Sequence, residues 1–119
     1  ALTLTLRDSA TSGVVGKSFT FISKITPTGG DIHKIVCTDT SNEKIIGTLT
    51  SHKINTAGAG TYSATAGSAD NYSAIAMDGT TKGGVEGTMI KLTCISVDLW
   101  HVSGDLLHTG SMVDPYTTS

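Results

Sequence analysis

Charge is scarce in this chain. Asp, Glu, Lys and Arg make up 15% of its 119 residues and aromatics only 5%, against roughly 25% charged residues in an average globular domain. The formal net charge is −2 and the basic residues nowhere form a run. That argues against nucleic-acid binding through phosphates, which needs clustered cations. No apolar stretch approaches the ~18 residues of a membrane span, so no membrane is expected among its partners. The opening ALTLTLRD has neither the basic nor the apolar region of a signal peptide. Cysteine is limited to Cys37 and Cys94, both inside apolar runs (KIVC and KLTCI). They read as buried free thiols, with an inter-strand disulfide as the alternative. Two distant cysteines without histidine partners do not make a zinc site.

Helical periodicity is also missing. No segment repeats apolar residues every 3.6 positions between caps, and the small-residue stretch GAGTYSATAGSA is broken by turn formers. What is present is short alternation. The strongest stretch is GGVEGTMIKLTCISVDLWHVSG, residues 83–104. Ile90, Leu92 and Cys94 share one face, Val97-Asp98 turns the chain, and Trp100 and Val102 return on one face. This hairpin is expected to supply the largest part of the core, with Trp100, the one tryptophan, buried in it. Leu106 and Leu107 are placed to continue its second strand.

The remaining strands are weaker. Leu2, Leu4 and Leu6 alternate with threonines, which predicts a half-buried N-terminal strand. Residues 17–25 (KSFTFISKI) place Phe19 and Phe21 on one face. Residues 31–38 and 44–50 predict two more strands, the latter weakened or bulged at Gly47. Residues 51–71 are small and polar around Tyr62, either a long surface loop or a loop with a short strand near residues 61–64. Residues 72–77 (YSAIAM) form a further strand, and the tail with Pro115 and Tyr116 is extended. The sum is an all-β chain: one antiparallel β-sandwich or barrel-like domain of about seven or eight strands over residues 1–119. With so few large apolar residues its core is thin, and oligomerisation is a common remedy for that.

Catalytic signatures are lacking. His33, His52, His101 and His108 are scattered, without HxH or HExxH spacing, and read as surface or hydrogen-bonded histidines. The carboxylates stand singly beside Gly, Ser, Thr or Asn, where Asp bonds its own backbone in turns. Neither Gly29-Gly30 nor Gly83-Gly84 belongs to a phosphate-binding pattern, and no GxSxG elbow exists. No enzyme activity, metal or cofactor is expected.

Three phrases carry a resemblance. GKSFTF at residues 16–21, GTMIKLTC at residues 87–94 and WHVSG at residues 100–104 resemble the G-x-x-[FY]-x-F, G-T-x-I-x-L-x-C and W-x-V-x-G phrases of small structural proteins of tailed bacteriophages. The resemblance spans residues 4–110. It implies a capsid decoration (cement) protein on the outer surface of the head. Its partners would be the major capsid protein and two further copies of itself in a homotrimer, and its location the virion, after synthesis in the bacterial cytoplasm. The alternative is a carbohydrate- or receptor-binding β-module on a head or tail fibre. A cement protein is expected to bury Trp100, whereas a sugar binder is expected to expose aromatics in a groove. Contact with the capsid or a sister subunit is assigned to the termini: Ala1, Leu2, Thr3, Leu4 and Thr5 at one end, Pro115 and Tyr116 at the other. Extended ends can pair with a neighbour's sheet edge without charged side chains.

Overall fold

The computed structural model of the chain describes residues 2–57 and 60–119. Nine strands run in order: β1 (Thr3–Thr5), β2 (Ser18–Ile22), β3 (His33–Val36), β4 (Lys44–Lys53), β5 (Thr61–Ala66), β6 (Ala74–Met77), β7 (Met89–Ser96), β8 (Leu99–His108) and β9 (Tyr116–Thr117). They form a four-stranded sheet ordered β1-β3-β6-β9 and a five-stranded sheet ordered β2-β7-β8-β4-β5. The chain is all-β, as its alternation predicts, but it is not purely antiparallel. β1 runs parallel to β3, and β4 runs parallel to β8. Local hairpin signals point to antiparallel neighbours, whereas these two pairs join strands far apart in sequence, which no local pattern encodes.

The β7–β8 hairpin is the centre of the larger sheet. Asp98 turns it with φ of 67°, and a register shift lies between Cys94 and Ser96. Ile90, Leu92 and Cys94 on β7 and Trp100, Val102 and Leu106 on β8 are all buried. Ile45 and Leu49 of β4 join them, and Ile35, Ile75 and Met77 come from the facing sheet, so that the two sheets share one core. The ring of Phe19 lies 5.9 Å from that of Trp100.

Gly47 does not bulge β4. The ladder to β8 runs through it without a shift, and the ladder to β5 begins at it. Its φ is +133°, and a Cβ there would stand 2.1 Å from the Val102 carbonyl oxygen. The glycine is needed for close approach of two backbones, and the irregularity falls on β7 instead.

Two further expectations change. Leu2 and Leu4 are exposed rather than half-buried, and only Leu6 of the LTLTL segment enters the core. The reason is positional: β1 is an edge strand, and its inward face is only partly covered. The tail is not free. β9 pairs with β6, Pro115 and Tyr116 are buried, and the Tyr116 hydroxyl donates to the Gly47 carbonyl at 2.9 Å. His108 is buried in β8, and its Nδ1 shares a 2.5 Å hydrogen bond with Ser51 Oγ.

Candidate functional site

Two places hold the polar chemistry. The first surrounds Glu43, which is buried and has no cationic partner among the described residues. Its Oε2 accepts the Trp100 indole Nε1–H and the Ser9 amide, each at 3.1 Å, and its Oε1 accepts the Asp39 amide at 2.8 Å. Ser9 Oγ in turn accepts the Asp98 amide. Burial acts to raise the Glu43 carboxyl, and the hydrogen bonds from Asp39, Ser9 and Trp100 outweigh it, holding it below the ordinary range. The network ties three loops to the tryptophan. Its donors include two main-chain amides and the indole, so the network braces the fold. Glu43 is not the turn carboxylate that its neighbours suggest. Asp8, Asp39, Asp78 and Asp114 do behave that way, each accepting an amide two residues on.

The second is the Ser51–His108 pair. Tyr62 covers the imidazole edge-on at 5.4 Å, and His108 Nε2 has no partner among the described residues. Burial lowers the His108 pKa, and Lys53 and His52 lower it further. Both Ser51 and His108 are fully buried, so a substrate has no approach to the hydroxyl. Among the described residues no group of three His, Cys, Asp or Glu side chains could hold a metal ion.

The surface offers a different kind of feature. β1 and β2 are the first strands of their respective sheets, and side chains from both line a series of hollows. Leu2, Phe21, Ile22, Ile25 and His33 line one of about 340 Å³. Leu4, Leu6, Arg7 and Phe19 line a small one of about 60 Å³. Arg7, Val14, Lys17 and Phe19 line a third of about 390 Å³. Ile22 and Ile25 are 62% and 71% exposed. His33 Nε2 donates to the Ile25 carbonyl at 2.8 Å, and its Nδ1 has no partner among the described residues.

The assigned contact residues divide accordingly. Leu2, Thr3, Leu4 and Thr5 are exposed along this seam, whereas Pro115 and Tyr116 are buried in the protein's own fold. Ala1 lies outside the described residues. Phe19, Ile22, Ile25 and the cations Arg7, Lys17 and Lys24 were not legible as a surface. The one signal in sequence is Ile22, an apolar residue out of phase with Phe19 and Phe21.

Comparison with protein-family models, with curated proteins and with solved structures finds no match for the chain.

Proposed function

We propose that the chain is a structural protein of a bacteriophage virion, a decoration protein that binds the outer surface of the head, as a homotrimer, and braces it. The observation that carries this reading over its rival is the complete burial of Trp100. A sugar-stacking groove would use that ring, and here it is spent in the core. Two further features support the reading. The three resembling phrases fall on β2, β7 and β8, neighbours in one sheet, so they act together as a framework. And the exposed aliphatic groups gather beside an N-terminal edge strand, a feature suited to a protein partner.

The alternative, a carbohydrate- or receptor-binding module, rests on Tyr62, exposed beside Asp114 in a groove of about 370 Å³. The test is reconstitution. Particles stripped of the chain are mixed with purified protein, and the occupied positions are read from a density map. Density at three-fold or quasi-three-fold positions of the head with trimeric protein is the expected result. No binding to heads, or glycan binding abolished by Tyr62→Ala, overturns it.

A further inference from the structure

The seam between β1 and β2 has two lips whose outer backbone groups have no strand partner among the described residues. On β1 the Leu2 carbonyl accepts the Lys34 amide and the Leu6 amide donates to the Val36 carbonyl, each at 2.8 Å. With Thr3 opposite Lys34 and Thr5 opposite Val36, a parallel ladder uses the peptide groups of Leu2, Leu4 and Leu6 and turns those of Thr3 and Thr5 outward. On β2 the Ser23 amide donates to Thr88 and the Lys17 carbonyl accepts the Cys94 amide. The ladder to β7 therefore uses Phe19 and Phe21, and the peptide groups of Thr20 and Ile22 face away.

Edges of this kind are normally blunted by proline, bulges or inward charges. β9 follows that rule, lying directly behind Pro115. β1 (TLT) and β2 (SFTFI) contain no proline, bulge or charged residue. Between the lips lie Leu2, Leu4 and Phe19, all partly exposed. The charge along the hollows has one sign. Arg7, Lys17 and Lys24 line them, no Asp or Glu does, and among the described residues none of the three cations is joined to a carboxylate. They are three of only eight Lys and Arg in a chain of net charge −2.

We propose that this seam is a docking site for an extended segment of a partner protein, one that alternates apolar side chains and carries acidic residues at its ends. Outward peptide groups two residues apart are satisfied by a strand and not by a helix. The apolar floor takes every second side chain of such a strand. The cations at its two ends, Arg7 with Lys17 and Lys24, select acidic flanks. A second copy docked seam to seam would bring these cations against their own kind. The inference rests on the reading of the chain as a module that binds another protein, and it names what that partner presents.

The test is made on the full chain without particles. A labelled synthetic peptide of alternating valine and threonine between aspartate pairs is titrated by fluorescence anisotropy. Its lysine-flanked counterpart and a version with a central proline serve as comparisons. The acidic peptide is expected to bind at least tenfold more tightly than either, and to weaken as salt rises. Leu4→Ser and Ile25→Ser, both at exposed positions, are expected to reduce binding at least tenfold, and Arg7→Glu to shift preference toward the lysine-flanked peptide. Failure of the acidic peptide to bind, equal binding of the lysine-flanked one, or a dimer that Leu4→Ser dissolves would overturn the proposal. Reconstitution with particles separates the two readings. Seam variants that decorate heads at full occupancy overturn the seam and leave the decoration role. Wild-type protein that binds the acidic peptide but no head does the reverse.

Discussion

The indole of Trp100 donates to the carboxylate of Glu43 across 3.1 Å inside the core. The two residues are 57 positions apart, and the bond anchors the loop before β4 to the strand at the middle of the larger sheet. Glu43→Ala would leave that indole and the amides of Ser9 and Asp39 without their acceptor, at about 1–3 kcal/mol for each buried donor left unpaired. Glu43→Gln retains one acceptor oxygen and is expected to cost less. Trp100→Ala removes the ring as well, and about 3–5 kcal/mol is expected. Urea unfolding should rank Glu43→Gln as the mildest of the three; a Glu43→Ala midpoint equal to wild type would show that the network contributes nothing. The sign of the acid response follows from the depressed Glu43 pKa. Its contribution is complete above the ordinary glutamate value of ~4.3 and is lost as pH falls through the lower folded value. In Glu43→Gln that acid limb should flatten.

His108 governs a different window. Its folded pKa lies below the ordinary histidine value, so the unfolded chain takes up the proton first. Stability from this group is complete above ~6.5 and declines as pH falls from there toward the folded value. The groups facing it are Ser51, Tyr62, His52 and Lys53. A stability profile from pH 7 to 5 should slope downward in the wild type and less steeply in His108→Gln. Parallel slopes would assign the decline to other groups.

Much of the fold is legible in sequence, because alternation is a property of neighbours. The β7–β8 hairpin, the burial of Trp100, the aspartate turns and the free cysteines all follow from local pattern. What is hidden is long-range. That β4 lies beside β8 in parallel is decided by which sheet each strand joins, and it gives Gly47 its meaning: the Val102 carbonyl occupies the place of a Cβ. Glu43 looks like a turn residue because its three donors come from residues 9, 39 and 100. The seam is half legible. Leu2 to Leu6 stand out as an alternating strand with no partner close in sequence, but nothing local places Phe19 and Ile25 along the same hollows.

The two thiols should be inert in the folded protein. Burial pushes the Cys37 thiol up to about 12, with Glu43 and Asp39 adding to the effect, and burial raises Cys94 also. The thiolate is the reactive form. Labelling by an aromatic disulfide reagent at pH 8 should therefore be slow and should accelerate with denaturant in step with unfolding. Rapid labelling of either cysteine in native buffer would contradict the burial of both.

The two ends of the described chain should respond differently to truncation. At the N-terminal end Thr3 to Thr5 are exposed and the core begins at Leu6. Removing residues 1–5 takes away a short edge ladder, with about 1–2 kcal/mol expected from a few hydrogen bonds of modest net value. At the C-terminal end, Tyr116 stacks on Tyr72 at 5.7 Å, its hydroxyl holds the Gly47 carbonyl, and Ser73 Oγ donates to the Thr118 carbonyl. Removing residues 113–119 uncovers that face of the core and is expected to cost about 3–5 kcal/mol, as for loss of a buried aromatic ring. Thermal unfolding should show the N-terminal truncation near the full chain and the C-terminal one far below it. Only the N-terminal form, folded but without one lip of the seam, then isolates the grip: it should keep its Trp100 fluorescence and lose binding of the acidic peptide. A C-terminal truncation with an unchanged midpoint would mean that β9 is an ornament of the fold and that the tail is free to engage a partner after all.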